Sequence, residues 1–164
     1  MLFFREGGME TPQLSKKEKE ECLLKAKESS RHRYAKILHK PGDELNRVFN
    51  FLLPDSYMQP HYHPSAEKIE NISVVEGKIA VFFFDEHGNV TESAILEQCG
   101  KTEIDVPAFM WHTYTVLSDY AITYETMMGV YDPATWKNLP KWAPAENTPE
   151  AKGYLNFLKT VKRE

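Results

Sequence analysis

Four residues of metal-binding type stand out by their spacing. His61 and His63 lie two apart in Tyr57-Met58-Gln59-Pro60-His61-Tyr62-His63-Pro64, and on a strand that spacing puts both imidazoles on one face, with Tyr57 and Gln59. Imidazoles inside a β-layer need partners once water is excluded, and a metal ion is one. Glu67 and Glu70 compete to supply a carboxylate. Strand alternation favours Glu70, which shares its parity with Ile72 and Val74, whereas Glu67 shares its own with Asn71 and Ser73. The last ligand should come from a distant strand. His112 opens Trp111-His112-Thr113-Tyr114-Thr115-Val116, on a face with Tyr114 and Val116; taken alone it would read as a core histidine. The set His61, His63, Glu70 and His112 suits a divalent transition metal with positions open to water or ligand, without choosing among Fe, Mn, Ni, Co and Zn.

Residues so far apart converge only on a scaffold of many short strands. From residue 47 the chain runs in segments rich in Val, Ile, Phe, Tyr and Thr, separated by turn residues such as Glu76-Gly77-Lys78, His87-Gly88-Asn89 and Cys99-Gly100-Lys101. The pattern predicts strands over 47–53, 57–63, 69–75, 78–84, 90–96, 102–106, 111–117 and 120–128. Eight short antiparallel strands close most economically as a double-sheet jelly roll. Before them, Ser15 to about Ser29 reads as a surface helix with Ser15 and Glu18 spaced as a capping box and a narrow stripe of Leu14, Cys22, Leu23 and Ala26. After Val130, four prolines and two tryptophans suggest a tail that packs back on the barrel, with a closing helix over 151–161. The organisation expected is one domain: an N-terminal extension over 1–45, a barrel over 46–130 and a tail over 131–164.

Length and charge narrow the function. At 164 residues with 41% hydrophobic composition the chain supports one ordinary core. A net charge of −4 gives no field to gather phosphates, so neither nucleic acid nor an anionic membrane is expected as partner. Cys22 and Cys99 form no CxxC pair and read as reduced thiols. Met1-Leu2-Phe3-Phe4 is cut short by Arg5 and Glu6, and no apolar run reaches the ~18 residues of a membrane span, so a cytoplasmic location is expected. Phe3 and Phe4 are apolar enough to suggest a homodimer contact.

The same residues carry a family resemblance. His61-Tyr-His63, Glu70 and Gly77 resemble the first cupin motif, and Gly100 followed by Pro107-Ala-Phe-Met-Trp-His112 resembles the second. Residues from about Ser30 to Tyr154 look more closely like the WbuC-type cupins, small bacterial metalloproteins often associated with surface-polysaccharide gene clusters. That likeness rests on Ser30-Arg31-His32-Arg33, on Gln59 to Pro64, on Val75 to Lys78 followed by Phe82 to Asp85, on Pro107 to His112, and on Tyr131-Asp132-Pro133. It implies a jelly-roll barrel with a metal on the four matching residues, and no defined reaction. The chain departs from the general pattern in the longer gap between His63 and Glu70, in Phe109 where a glycine is common, and in Val116 where an asparagine is frequent.

Around such a metal, Arg31 and Arg33 would reach over the mouth to grip a carboxylate or phosphate, and Tyr57, Gln59 and Tyr114 would line the pocket. His32, His39 and His87 read as structural or exposed, and Phe82, Phe83 and Phe84 as core. Two functional readings follow: a metal-dependent isomerase, lyase or oxygenase acting on a small polar molecule such as a sugar or sugar-derived acid, and a non-catalytic module or sensor in which the metal anchors a ligand. No residue stands out as a general base.

Overall fold

A computed structural model describes residues 10–161. Helix α1 (Lys16–Glu28) starts at the expected capping box: the Ser15 hydroxyl accepts the Glu18 amide at 3.2 Å, and the Glu18 carboxylate accepts the Ser15 amide at 2.8 Å. Eight strands follow, β1 (Arg33–Ile37), β2 (Leu45–Leu52), β3 (Glu70–Glu76), β4 (Lys78–Phe84), β5 (Val90–Glu97), β6 (Glu103–Val106), β7 (Trp111–Val116) and β8 (Ala121–Met128). Helix α2 (Pro149–Thr160) lies near the end of the described chain.

All strand pairs are antiparallel, in a five-stranded sheet of order β1-β2-β8-β3-β6 and a three-stranded sheet of order β5-β4-β7. Alternating residues of both sheets meet in a core that includes Leu52, Ile72, Val74, Ile79, Val81, Phe83, Tyr114 and Val116. Strand β4 reads as an unbroken apolar run because both of its faces are covered. Its other side, Ala80, Phe82 and Phe84, packs with Leu158 of α2. Each such fully buried aromatic contributes roughly 1.5–3 kcal/mol through the apolar surface it removes from water. On the far side, Cys22 and Ala26 of α1 cover Phe49, Phe51, Ile122 and Tyr124. The molecule is therefore a two-sheet sandwich with one helix on each outer face.

Two strand expectations are corrected. Residues 57–63 form no continuous strand and carry only the isolated bridges His61↔His112 and Tyr62↔Asn138; Pro60 and Pro64 remove the amide donors that a longer ladder would need. Conversely, Arg33–Ile37 is a strand, pairing with β2 from Arg33↔Leu52 to Ile37↔Val48. It is an edge strand with Arg33, Lys36 and a largely exposed Ile37, so the burial pattern that marks inner strands is missing from it. The tail packs back as expected, with the Trp142 ring 5.1 Å from Phe84 and 5.8 Å from Trp111. Phe3 and Phe4 lie outside the described residues. Among the described residues no helix is long and apolar enough to cross a membrane.

Candidate metal centre

The short bridge between residues 61 and 112 is what brings the histidines together. The His61 amide donates to the His112 carbonyl at 3.1 Å, and the His112 amide returns the bond to the His61 carbonyl at 2.9 Å. Both imidazoles then point into the sandwich from the same side, with His63 two residues on. Glu70 enters from the opposite sheet, where it opens β3 between Val106 of β6 and Met127 of β8. Its inward parity with Ile72 and Val74 is as expected, and Glu67 is exposed and engaged with Ser65. One ligand atom from each of His61, His63, Glu70 and His112 falls within 4.8 Å of all the others. The four side chains are buried, from 2% exposure at His112 to 9% at Glu70.

The outer nitrogen of each ring is committed. Nδ1 of His61 lies 3.0 Å from the Gln59 carbonyl oxygen, that of His63 2.8 Å from Trp136, and that of His112 2.8 Å from Met110. A carbonyl only accepts, so each Nδ1 carries the proton, and in a neutral imidazole Nε2 is left as a lone pair. The three Nε2 atoms face inward. Nε2 of His112 is hydrogen-bonded to Glu70 Oε2 at 3.0 Å, and Nε2 of His63 stands 3.4 Å from the same oxygen. Nε2 of His63 is buried without a hydrogen-bond partner. Inward nitrogens gathered at one carboxylate call for a positive charge shared among them, a proton or a metal ion, and backbone carbonyls on the outer nitrogens are the usual means of aiming histidines at a metal. Burial holds His61 well below the usual imidazole range, with the nearby His112 adding to it. Burial alone would raise Glu70, but His112 and His63 at its oxygen outweigh that and hold it well below the usual carboxylate range. Together the four residues offer one donor atom each to a single point, a cluster that could hold a metal ion.

Sequence reasoning missed Glu125, on the inner face of β8. It accepts the Tyr114 hydroxyl at 2.6 Å, the Thr123 hydroxyl at 3.1 Å and the Asn50 amide at 2.8 Å. Burial first, then the neighbouring Glu70 charge, push its carboxyl up to about 8. Parity carried the signal, since Glu125 alternates in step with the buried residues Ala121, Thr123 and Met127.

Of the expected ligand contacts, Tyr114 lies in this chamber through its bond to Glu125. The other four sit along the seam with the tail. Arg31 and Arg33 both meet Glu146, at 2.8 and 2.6 Å. The Tyr57 hydroxyl donates to the Pro144 carbonyl at 2.7 Å, and the Gln59 amide donates to those of Pro140 and Ala143 at 3.4 and 3.3 Å. Of the remaining histidines, His39 binds the Arg47 backbone, while His32 and His87 are exposed.

Comparison with known proteins places this architecture. The family described as Domain of unknown function (DUF6016) matches residues 14–96, half of the chain. The chain belongs to this family. The matched span runs from α1 into β5 and holds His61, His63 and Glu70, while His112 lies beyond it. No curated protein matches the chain. Solved structures similar to this DUF6016 chain include the capsular polysaccharide assembling protein CapF from Staphylococcus aureus, at 21% identity and a TM-score of 0.56, over 68% of this chain and 32% of that one. A recombinant oxalate oxidase in complex with glycolate aligns at 13% identity and 0.54, over 68% and 56%. A structure of the DMSP lyases RdDddP and RnDddQII aligns at 18% identity and 0.52, over 67% and 53%. The chain thus spans from about a third to just over half of those proteins. These likenesses establish the fold, a cupin jelly roll. At one departure from the cupin pattern, Phe109 sits at φ 62°, a left-handed conformation that favours glycine.

Proposed function

We propose that His61, His63, Glu70 and His112 hold a divalent transition metal, and that the barrel acts on a small polar ligand that reaches it. The observation that carries this reading is the commitment of all three Nδ1 atoms to backbone carbonyls, which turns three Nε2 atoms and one carboxylate toward a single point. A bound ion would supply Lewis acidity toward a ligand oxygen. The chain supplies the rest. The Trp136 ring packs edge-on against His63, with 5.9 Å between ring centroids. Burial raises the Glu125 carboxyl above the usual carboxylate range, and Tyr114 and Thr123 fix the orientation of that group. We assign proton transfer to Glu125, the buried carboxyl beside Glu70 that the sequence did not reveal, and this assignment favours a catalytic role over simple ligand anchoring.

For the substrate we infer a sugar or sugar-derived acid in surface-polysaccharide biosynthesis. The resemblance to WbuC-type cupins supports this, as does the shared fold of a protein named for capsular polysaccharide assembly. The test uses protein purified without a histidine tag, its metal content, and a panel of hydroxy acids and sugar nucleotides followed by both thermal unfolding and product formation. About one divalent ion per chain, lost in His61→Ala, and turnover that disappears in Glu125→Gln with the metal retained are the expected results. Ligand-dependent stabilisation with no product across the panel would replace this reading with a metal-anchored binding module.

A further inference from the structure

A second site lies on the other side of the sheet from the metal residues. Tyr62 alternates with His61 and His63, and Trp111 precedes His112, so their rings point outward where the three histidines point in. There they border an open groove of about 640 Å³, together with Trp142, Lys137, Lys141 and Glu86. The three rings are fixed by edge contacts, Tyr62 to Trp111 at 4.4 Å and Trp111 to Trp142 at 5.8 Å between centroids, and none of the three is fully buried. The opposite wall is also held in place. Asn138 exchanges backbone bonds with Tyr62, and its side-chain amide donates to the Tyr62 hydroxyl at 2.6 Å.

The groove's charges are unevenly used. Among the described residues neither Lys137 nor Lys141 donates a hydrogen bond or forms a contact ion pair; burial holds the Lys137 ammonium below the usual lysine range against the opposing pull of Glu146. The Glu86 carboxylate is turned to solvent at 82% exposure, beside the His87 ring at 3.3 Å. Two ammonium groups without a direct hydrogen-bond partner, next to three partly open aromatic rings, match a ligand with a flat face and an adjoining anion. We propose that this groove binds a phosphorylated ring compound, its ring against the aromatic wall and its phosphate between Lys137 and Lys141. Both a nucleotide and a sugar phosphate have this chemistry. The proposal does not rest on the metal centre.

The test titrates uridine monophosphate, glucose 1-phosphate and inorganic phosphate into the full chain, following tryptophan emission, with the metal loaded and after chelation. Saturable binding of at least one ring-bearing phosphate, tighter than inorganic phosphate and retained without metal, is expected. Whichever of the two binds names the source. Lys137→Met with Lys141→Met, which keep the length of both side chains and remove only their charge, should weaken it about tenfold, equivalent to ~1.4 kcal/mol. Unchanged affinity in that double variant, binding lost with the metal, or no binding by any of the three compounds overturns the proposal.

Discussion

The orientation of a buried imidazole is decided by its other nitrogen. At His61, His63 and His112 that nitrogen is tied to main-chain carbonyls, so the aim of the ring depends on backbone that no side-chain substitution removes. The histidine spacing and the parity of Glu70 were legible in the sequence. The carbonyl of Trp136, more than seventy residues from His63, was not, because a main-chain group has no sequence signature. Glu125 yields a pH prediction. Its carboxyl titrates near 8 in the folded chain against the ordinary 4.5, so the folded state binds more protons between those values and loses stability as pH rises through them. Glu125→Gln stays neutral throughout. In metal-free protein the denaturation midpoint of the parent should therefore fall relative to Glu125→Gln from about pH 5 to pH 8; parallel profiles would show that Glu125 does not carry the proton.

Elements position these side chains through turns that tolerate little change. Gly77 joins β3 to β4 at φ 83°, and a Cβ there would run into the Tyr120 carbonyl oxygen and the Ser118 hydroxyl. Gly77→Ala should cost on the order of 2–3 kcal/mol by chemical denaturation, since both the conformation and the close approach resist a side chain. Ser15→Ala is a milder change: it removes the hydroxyl half of the capping box on α1 and should cost about 1 kcal/mol. The capping box, the closing helix and seven of the eight strands could be read from pattern because each has a local signal. The edge strand β1 lacks one, its pairing with β2 being set by tertiary contact. Residues 57–63 gave a false signal, as their alternation serves the site while their prolines limit pairing.

At the scale of the whole molecule, the tail is bound to the barrel by a polar seam that composition alone could not locate. Arg33, only 8% exposed at its side chain, meets Glu146 at 2.6 Å, and Arg31 joins the same carboxylate. Glu146→Gln leaves the Arg33 guanidinium short of its counter-charge and should destabilise the fold on the order of 3 kcal/mol in urea. Because the same tail supplies the Trp136 carbonyl to His63, metal affinity should fall along with stability. A variant that unfolds earlier yet binds metal as tightly as the parent would separate the seam from the centre.

The most direct measurement of the central claim is an anomalous diffraction map from crystals of tag-free protein, collected on both sides of the absorption edge of whichever divalent metal elemental analysis finds. The account predicts one strong peak per chain at roughly 2.0–2.2 Å from Nε2 of His61, His63 and His112 and from a Glu70 oxygen. A map without density among those four groups, or with its peak at other residues, would contradict it.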